Sequence, residues 1–165
     1  MDNSEPWSEK YRPKSLSDII IDDDIKKHVN ILTRKNNKTH IIITGPPGIG
    51  KTSTAKCIAY STLGEHTNEG FLELNIGSER TSKNISNVLK TFCRKIVFFD
   101  IPKIVLFDEA DDTTEKCISE ISGIMRSNII GNTRFIFTCN ESMNINNDIQ
   151  SMCTILRFRI STEEN

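Results

Sequence analysis

His40 to Cys57 reads HIIITGPPGIGKTSTAKC, and the fold turns on how the middle of this stretch is read. Residues 45–52, GPPGIGKT, satisfy the pattern G-x-x-x-x-G-K-[ST], in which each fixed position has a physical task. Gly45, Gly48 and Gly50 let the backbone turn with positive φ and present successive N–H groups to an anion that a Cβ would obstruct. Lys51 brings a cation to the β- and γ-phosphates of a nucleotide, and the Thr52 hydroxyl is suited to ligate Mg²⁺. The flanks agree with this reading. Three β-branched residues, Ile41, Ile42 and Ile43, predict a buried parallel strand. Thr54, Ala55, Ile58 and Ala59 predict a helix that opens at Thr52 with its N-terminus toward the phosphates. A strand before and a helix after distinguish a phosphate loop from a bare glycine turn. The expected nucleotide-contacting set is therefore Gly45, Pro46, Pro47, Gly48, Ile49, Gly50, Lys51, Thr52 and Ser53.

Composition bounds the rest. A length of 165 residues predicts about one domain, long enough to bury most of a core. The formal net charge of −1 announces no global attraction to nucleic acid, so any DNA contact is expected from a local patch or within an assembly. The five cysteines are scattered without a C-x-x-C spacing and read as small core residues of a reducing compartment. The opening MDNSEPWSEKYRP has no apolar stretch of signal-peptide type, and no segment approaches the length of a membrane span. A soluble, intracellular protein with no membrane partner is expected.

Along the chain, short apolar runs alternate with amphipathic segments. Asp24 to Arg34 predicts a helix with Ile25, His28, Val29 and Leu32 on one face. Strands are expected at 41–44, 71–75 (FLELN), 103–107 (KIVLF), 134–138 (RFIFT) and 154–158 (TILRF). Helices are expected at 52–63, at about 82–95 with Ile85, Val88, Leu89 and Phe92 in phase, and at 113–125 with Ile118, Ile121, Ile124 and Met125 in phase. A short helical turn is expected near 147–151. Repeated β-α-β units imply an α/β fold, a parallel sheet between helix layers joined by right-handed crossovers.

Two further motifs carry chemistry. In KIVLFDEAD, residues 103–111, four apolar residues deliver Asp108 to the carboxyl edge of a buried strand, where it can hold Mg²⁺ through water. Glu109, next in the chain, is placed to polarise a water for in-line attack on a γ-phosphate. The same pair could instead be a solvated turn favoured by the helix that follows. In RFIFTCN, residues 134–140, Thr138 and Asn140 bring polar side chains to the same edge. If this strand lies between the other two, Asn140 can touch both phosphate and attacking water, although a strand-ending asparagine is often a turn former. Lys83, Lys90 and Arg94 form a basic stripe opposite the apolar face of the helix near 82–95. Such a stripe is either a solvated face or a sequence-independent contact to DNA backbone.

Together these residues resemble the N-terminal ATPase domain of clamp loader small subunits, the replication factor C family of AAA+ ATPases. The resemblance runs through WSEKYRPKSL (7–16), GPPGIGKTSTA (45–55), FLELN (71–75), LFDEAD (106–111), RFIFTCN (134–140) and the stretch 149–159. It implies a three-layer P-loop domain with a five-stranded parallel sheet in the order 5-1-4-3-2, which puts Asn140 between the phosphate loop and the Asp108–Glu109 edge. It also assigns Tyr11, Arg12, Ile19 and Ile20 to the nucleotide's surroundings. Asn75 becomes a switch residue restraining Glu109 until DNA is bound, and Arg80, Lys83, Lys90 and Arg94 become possible DNA contacts. Residues 1–20 are then an arm near the nucleotide, 21–160 the ATPase domain and 161–165 the start of a connection to a lid, with the lid and the collar absent from this chain.

The resemblance further implies ATP and Mg²⁺ as cofactors, and other clamp loader subunits, a sliding clamp and primer-template DNA as partners. Catalysis would rest on Glu109, Lys51 and Asn140, and metal binding on Thr52 and Asp108. The expected site of action is the nucleus in a eukaryotic cell, or the host replication site or cytoplasm for a viral or archaeal protein. One departure matters: the family's Ser-Arg-Cys, whose arginine reaches a neighbouring subunit's ATP, reads Ser151, Met152, Cys153 here. A thioether carries no charge for that task. Arg157 and Arg159 are the nearest substitutes. The alternative to a working ATPase is a nucleotide-binding interaction or regulatory module of a replication complex without significant turnover.

Overall fold

The computed structural model describes residues 23–34, 37–75, 84–95, 102–127, 130–142 and 145–159. In chain order these form α1 (Asp23–Leu32), β1 (His40–Thr44), α2 (Lys51–Leu63), a 3₁₀ turn (Gly64–His66), α3 (Thr67–Gly70), β2 (Phe71–Asn75) and α4 (Ile85–Arg94). Then follow β3 (Lys103–Asp108), a 3₁₀ turn (Ala110–Asp112), α5 (Glu115–Met125), β4 (Thr133–Cys139), α6 (Asn147–Met152) and β5 (Cys153–Arg157). The five strands make one parallel sheet in the order β2-β3-β4-β1-β5, the order 5-1-4-3-2 read from its other edge.

Strand alternation sorts the apolar residues into two layers. Ile41, Ile43, Ile104, Leu106 and Ile136 face α1 and α2, packing with Val29, Ala55, Ile58 and Ala59. Ile42, Val105, Phe107, Phe135 and Phe137 face α4 and α5, packing with Leu89, Ile118, Ile121 and Ile124. Phe107 stacks on Phe137 with ring centroids 4.8 Å apart. Fully burying a side chain of this size contributes about 1.5–3 kcal/mol, so the paired layers supply most of the fold's driving force. All seven residues of β4 are buried, as a central parallel strand requires.

The differences from the sequence reading have local causes. His28 is exposed, its Nδ1 2.7 Å from the Asp24 carbonyl oxygen, because the buried stripe of α1 is narrow and centred on Val29 and Leu32. Val88 is 40% exposed, since the inner face of α4 is centred on Ile85, Leu89 and Cys93. The connection after α2, to which the sequence reading assigned no structure, is helical: Gly64 takes φ 58, and the chain turns through the 3₁₀ segment and α3 into β2. Met152 closes α6 one residue before β5 and packs against the apolar layer. No helix among the described residues is long and apolar enough to cross a membrane.

Candidate functional site

The carboxyl ends of β2, β3, β4 and β1 lie side by side, and the order of the strands decides what meets there. β4 pairs β1 with Thr44 opposite Cys139, and β2 pairs β3 with Asn75 opposite Asp108. The loop Gly45–Gly50 leaves β1 and enters α2, whose N-cap, Gly50, has φ 93, a conformation an L side chain rarely adopts. Gly45 is required for a different reason. A Cβ there would sit 2.6 Å from the Phe158 carbonyl oxygen, because the Phe158 N–H donates to Thr44 O at 2.7 Å and draws the end of β5 against the start of the loop.

Lys51 spends its three ammonium hydrogens within this loop and on the residue that follows β4. It donates to Gly45 O at 2.7 Å, Pro46 O at 2.8 Å and Asn140 Oδ1 at 3.0 Å. Partial burial lowers its pKa, opposed by the nearby Asp111, Cys139 and Asp108. A phosphate would compete for the same hydrogens, so the cation is already at the mouth of the loop. Thr52 donates its hydroxyl hydrogen to Asp108 Oδ1 at 2.8 Å. That leaves the Thr52 lone pairs for a metal ion, with an acidic residue beside them, a donor set that fits Mg²⁺.

Glu109 is exposed, with φ 56 and ψ 50, and among the described residues it is the one non-glycine with positive φ. A left-handed glutamate costs about 1–3 kcal/mol and persists only where its surroundings fix it. Two contacts do so here. Its N–H donates to Thr138 Oγ1 at 3.2 Å, and Asn75 Nδ2 donates to its Oε2 at 3.0 Å. Asn140 is tied down through its backbone as well: its N–H donates to Asp111 Oδ2 at 2.9 Å, and its carbonyl accepts from Thr44 Oγ1 at 3.0 Å. The other Asp111 oxygen, Oδ1, is buried with no hydrogen-bond partner among the described residues. Burial pushes the Cys139 thiol up to about 11, so it is a packing group rather than a nucleophile.

The structure thus brings Lys51, Thr52, Asp108, Glu109 and Asn140 to one edge, with Asn75 beside them. Tyr11, Arg12, Ile19, Ile20, Arg80 and Lys83 lie outside the described residues. Of the remaining basic stripe, Arg94 is exposed and Lys90 half-buried on α4. Arg157 and Arg159 are exposed and line a cavity of about 400 Å³ together with Gly45 and Asn140. They therefore lie beside this chain's own phosphate loop. Sequence reasoning gave no role to Asp111 or to the Thr138 hydroxyl; the signal for Thr138 was a polar residue at the end of an otherwise apolar strand.

A sequence profile of the ATPase family associated with various cellular activities (AAA) matches residues 41–160. A putative replication factor C small subunit of Acanthamoeba polyphaga mimivirus is 48% identical over 164 residues, 99% of this chain and 51% of that protein. Replication factor C subunit 4 of Schizosaccharomyces pombe is 38% identical over 162 residues, 96% of this chain and 47% of that one. The chain spans about half the length of these relatives. Among solved structures, a RuvB variant of Thermotoga maritima superposes with a TM-score of 0.67 at 18% identity, covering 88% of this chain and 48% of that one. A DNA polymerase III gamma subunit-related protein of the same organism gives 0.68 at 10% identity, covering 86% and 47%. At such identities these two speak for the fold alone. The chain belongs to the AAA ATPase family, and that membership implies nucleotide binding, normally with Mg²⁺.

Proposed function

We propose that this chain is the ATPase portion of a clamp loader small subunit, binding ATP with Mg²⁺ and hydrolysing it within a ring that places a sliding clamp on primed DNA. One observation carries the hydrolytic half of the reading: Glu109 stands next to the metal-binding Asp108 in a strained conformation, with Asn75 donating to its carboxylate at 3.0 Å. A carboxylate of a solvated turn has no need of either. The clamp loader half rests on relatives named replication factor C subunits that match nearly the whole chain.

In this reading the backbone N–H groups of Gly48, Ile49 and Gly50 cradle the phosphates, and Lys51 redirects its hydrogen bonds from the loop carbonyls to phosphate oxygens. Thr52 and Asp108 would hold Mg²⁺, which would supply charge neutralisation to the nucleotide phosphates. Glu109 takes a proton from water as the water oxygen bonds to the γ-phosphorus and the bond to the β-phosphate oxygen breaks, leaving ADP and phosphate. Asn140 contacts the γ-phosphate through its side chain, and its link to Lys51 would report whether the nucleotide has arrived. Asn75 holds Glu109 away from this work until the strand end moves. Residues 21–160 are the ATPase domain, with 1–20 near the nucleotide and 161–165 leading to a lid. Arg80, Lys83, Lys90 and Arg94 meet DNA backbone without regard to sequence, and the work is done wherever DNA is replicated.

A second reading keeps nucleotide binding and drops turnover. Met152, whose uncharged side chain packs inward where the family extends an arginine to the neighbouring subunit, fits such a module because it gives the neighbour's ATP no cation, although it leaves this chain's own site complete. Steady-state ATP turnover, measured with partner subunits, clamp and primed DNA and again without each, separates the two. Stimulation by primed DNA and clamp supports the first reading. Tight binding with no turnover in the complete mixture overturns it in favour of the second.

A further inference from the structure

We infer that Thr138 is a positioning residue that orients both acidic side chains of the site, an inference resting on the nucleotide reading above. Thr138 sits two residues before Asn140 on β4 and is 2% exposed. Its Oγ1 makes two contacts at the end of β3: one with Asp108 Oδ1 and one, at 3.2 Å, with the backbone nitrogen of Glu109, the residue just beyond the strand. Their directions follow from chemistry. A carboxylate can only accept, and a backbone N–H can only donate. The single hydroxyl hydrogen therefore goes to Asp108, and a lone pair receives the Glu109 N–H. No apolar side chain of the same shape can do either.

Each contact has a consequence for the reaction. At Asp108, Thr138 and Thr52 both donate to Oδ1, one from β4 and one from α2. Two donors converging on one oxygen fix the carboxylate plane and leave Oδ2 as the oxygen available to a metal-bound water. At Glu109, the hydroxyl receives the N–H of a residue held at φ 56. Without that acceptor the backbone has a reason to relax from the left-handed region, carrying the carboxylate away from the phosphate edge. A group on the strand that bears the phosphate-contacting Asn140 therefore sets the geometry of the strand that bears the metal ligand and the base.

The test compares Thr138→Val, which keeps the shape and loses the hydroxyl, with Thr138→Ser, which keeps the hydroxyl. ATP affinity is measured by calorimetry in Mg²⁺ and in EDTA, alongside thermal melting and turnover. Thr138→Val is expected to lose about tenfold of the Mg²⁺-dependent gain in affinity, the scale of one hydrogen bond to a charged group. Its affinity in EDTA should match wild type, its turnover should fall further than its affinity, and Thr138→Ser should restore both. A Thr138→Val protein with wild-type Mg²⁺ dependence and turnover overturns the inference, because the side chain then only fills space. If Thr138→Val does not fold, Thr138→Ser against Thr138→Ala decides on the same ratio of affinities, and equal ratios overturn it. Wild-type protein that binds no ATP in Mg²⁺ overturns the nucleotide reading itself, which is distinct from a binding-competent wild type whose variants behave alike.

Discussion

The two ends of the sheet both gather charged and polar side chains, buried at one end and partly exposed at the other, and they are put to different use. At the amino end, Lys103 is 6% exposed and donates to the carbonyls of Phe92, Cys93 and Lys95, closing the C-terminus of α4. Arg134, 2% exposed, donates to Leu32 O at 2.5 Å and Thr39 O at 2.6 Å, tying α1 to the approach of β1. Burial brings the Arg134 guanidinium down to about 10, and it stays a cation at neutral pH. At the carboxyl end, by contrast, most of the polar groups meet one another: Thr52 and Thr138 meet Asp108, Asn75 meets Glu109, and Lys51 reaches Asn140. Cations at the amino end are absorbed by backbone carbonyls, most of them at helix ends where they would otherwise lack donors. Those at the carboxyl end hold partners that a ligand can replace. Burial of charge alone does not mark a site; exchangeable partners do.

Mutations at the two ends should therefore separate activity from stability. The largest effect is expected from Glu109→Gln, which keeps the shape and hydrogen-bonding capacity but cannot accept the proton. Turnover should fall by about 10²–10⁴-fold with ATP affinity unchanged, read by single-turnover kinetics beside calorimetry. Unchanged turnover would remove Glu109 from the chemistry. Next, Lys51→Ala should weaken ATP binding by about 10- to 100-fold, the scale of losing charged hydrogen bonds to phosphate, with little change in melting temperature.

Across the sheet the pattern should invert. Arg134→Met leaves the buried Leu32 carbonyl without its donor, which costs about 1–3 kcal/mol, while the exposed Thr39 can turn its carbonyl to water. Chemical denaturation should show that loss while ATP affinity per folded molecule stays at the wild-type value. A drop in affinity of the folded protein would break the division between the two ends.

The smallest effect belongs to His40, whose Nδ1 accepts from the Phe135 N–H at 3.2 Å. Burial, with the neighbouring Arg134 second, lowers its pKa below the ordinary 6.5. The native state then binds fewer protons than the unfolded chain, so this contribution to stability is complete above 6.5 and is lost as pH falls through the lowered value. Melting temperatures across that window should decline more for wild type than for His40→Asn, whose amide oxygen can accept the same hydrogen bond at any pH. Parallel curves would remove His40 from the acid response.

Much of this was legible in the sequence, for reasons that are local. The glycine spacing of 45–50, the β-branched run before it and the apolar run before Asp108 each specify backbone behaviour within a few residues. That was enough for the phosphate loop, the strand ends and the sheet's membership. The helix faces were nearly legible, and the misreadings at His28 and Val88 arose where a periodic pattern leaves the edge of a stripe undecided. Lys103 and Arg134 passed unremarked because a cation opening an apolar strand reads as an exposed strand end. Only the tertiary packing brings helix-end carbonyls over these side chains. By itself the sequence determined which residues carry the acidic, hydroxyl and ammonium groups and that they arrive at strand ends. What each of them holds was decided by the sheet order, which sets β4 between β3 and β1. Thr138 reaches Asp108 and Glu109, and Asn140 reaches Lys51, across 29 to 89 residues of chain. No local pattern encodes a partner at that separation, because strand pairing and register, not spacing, bring the two together.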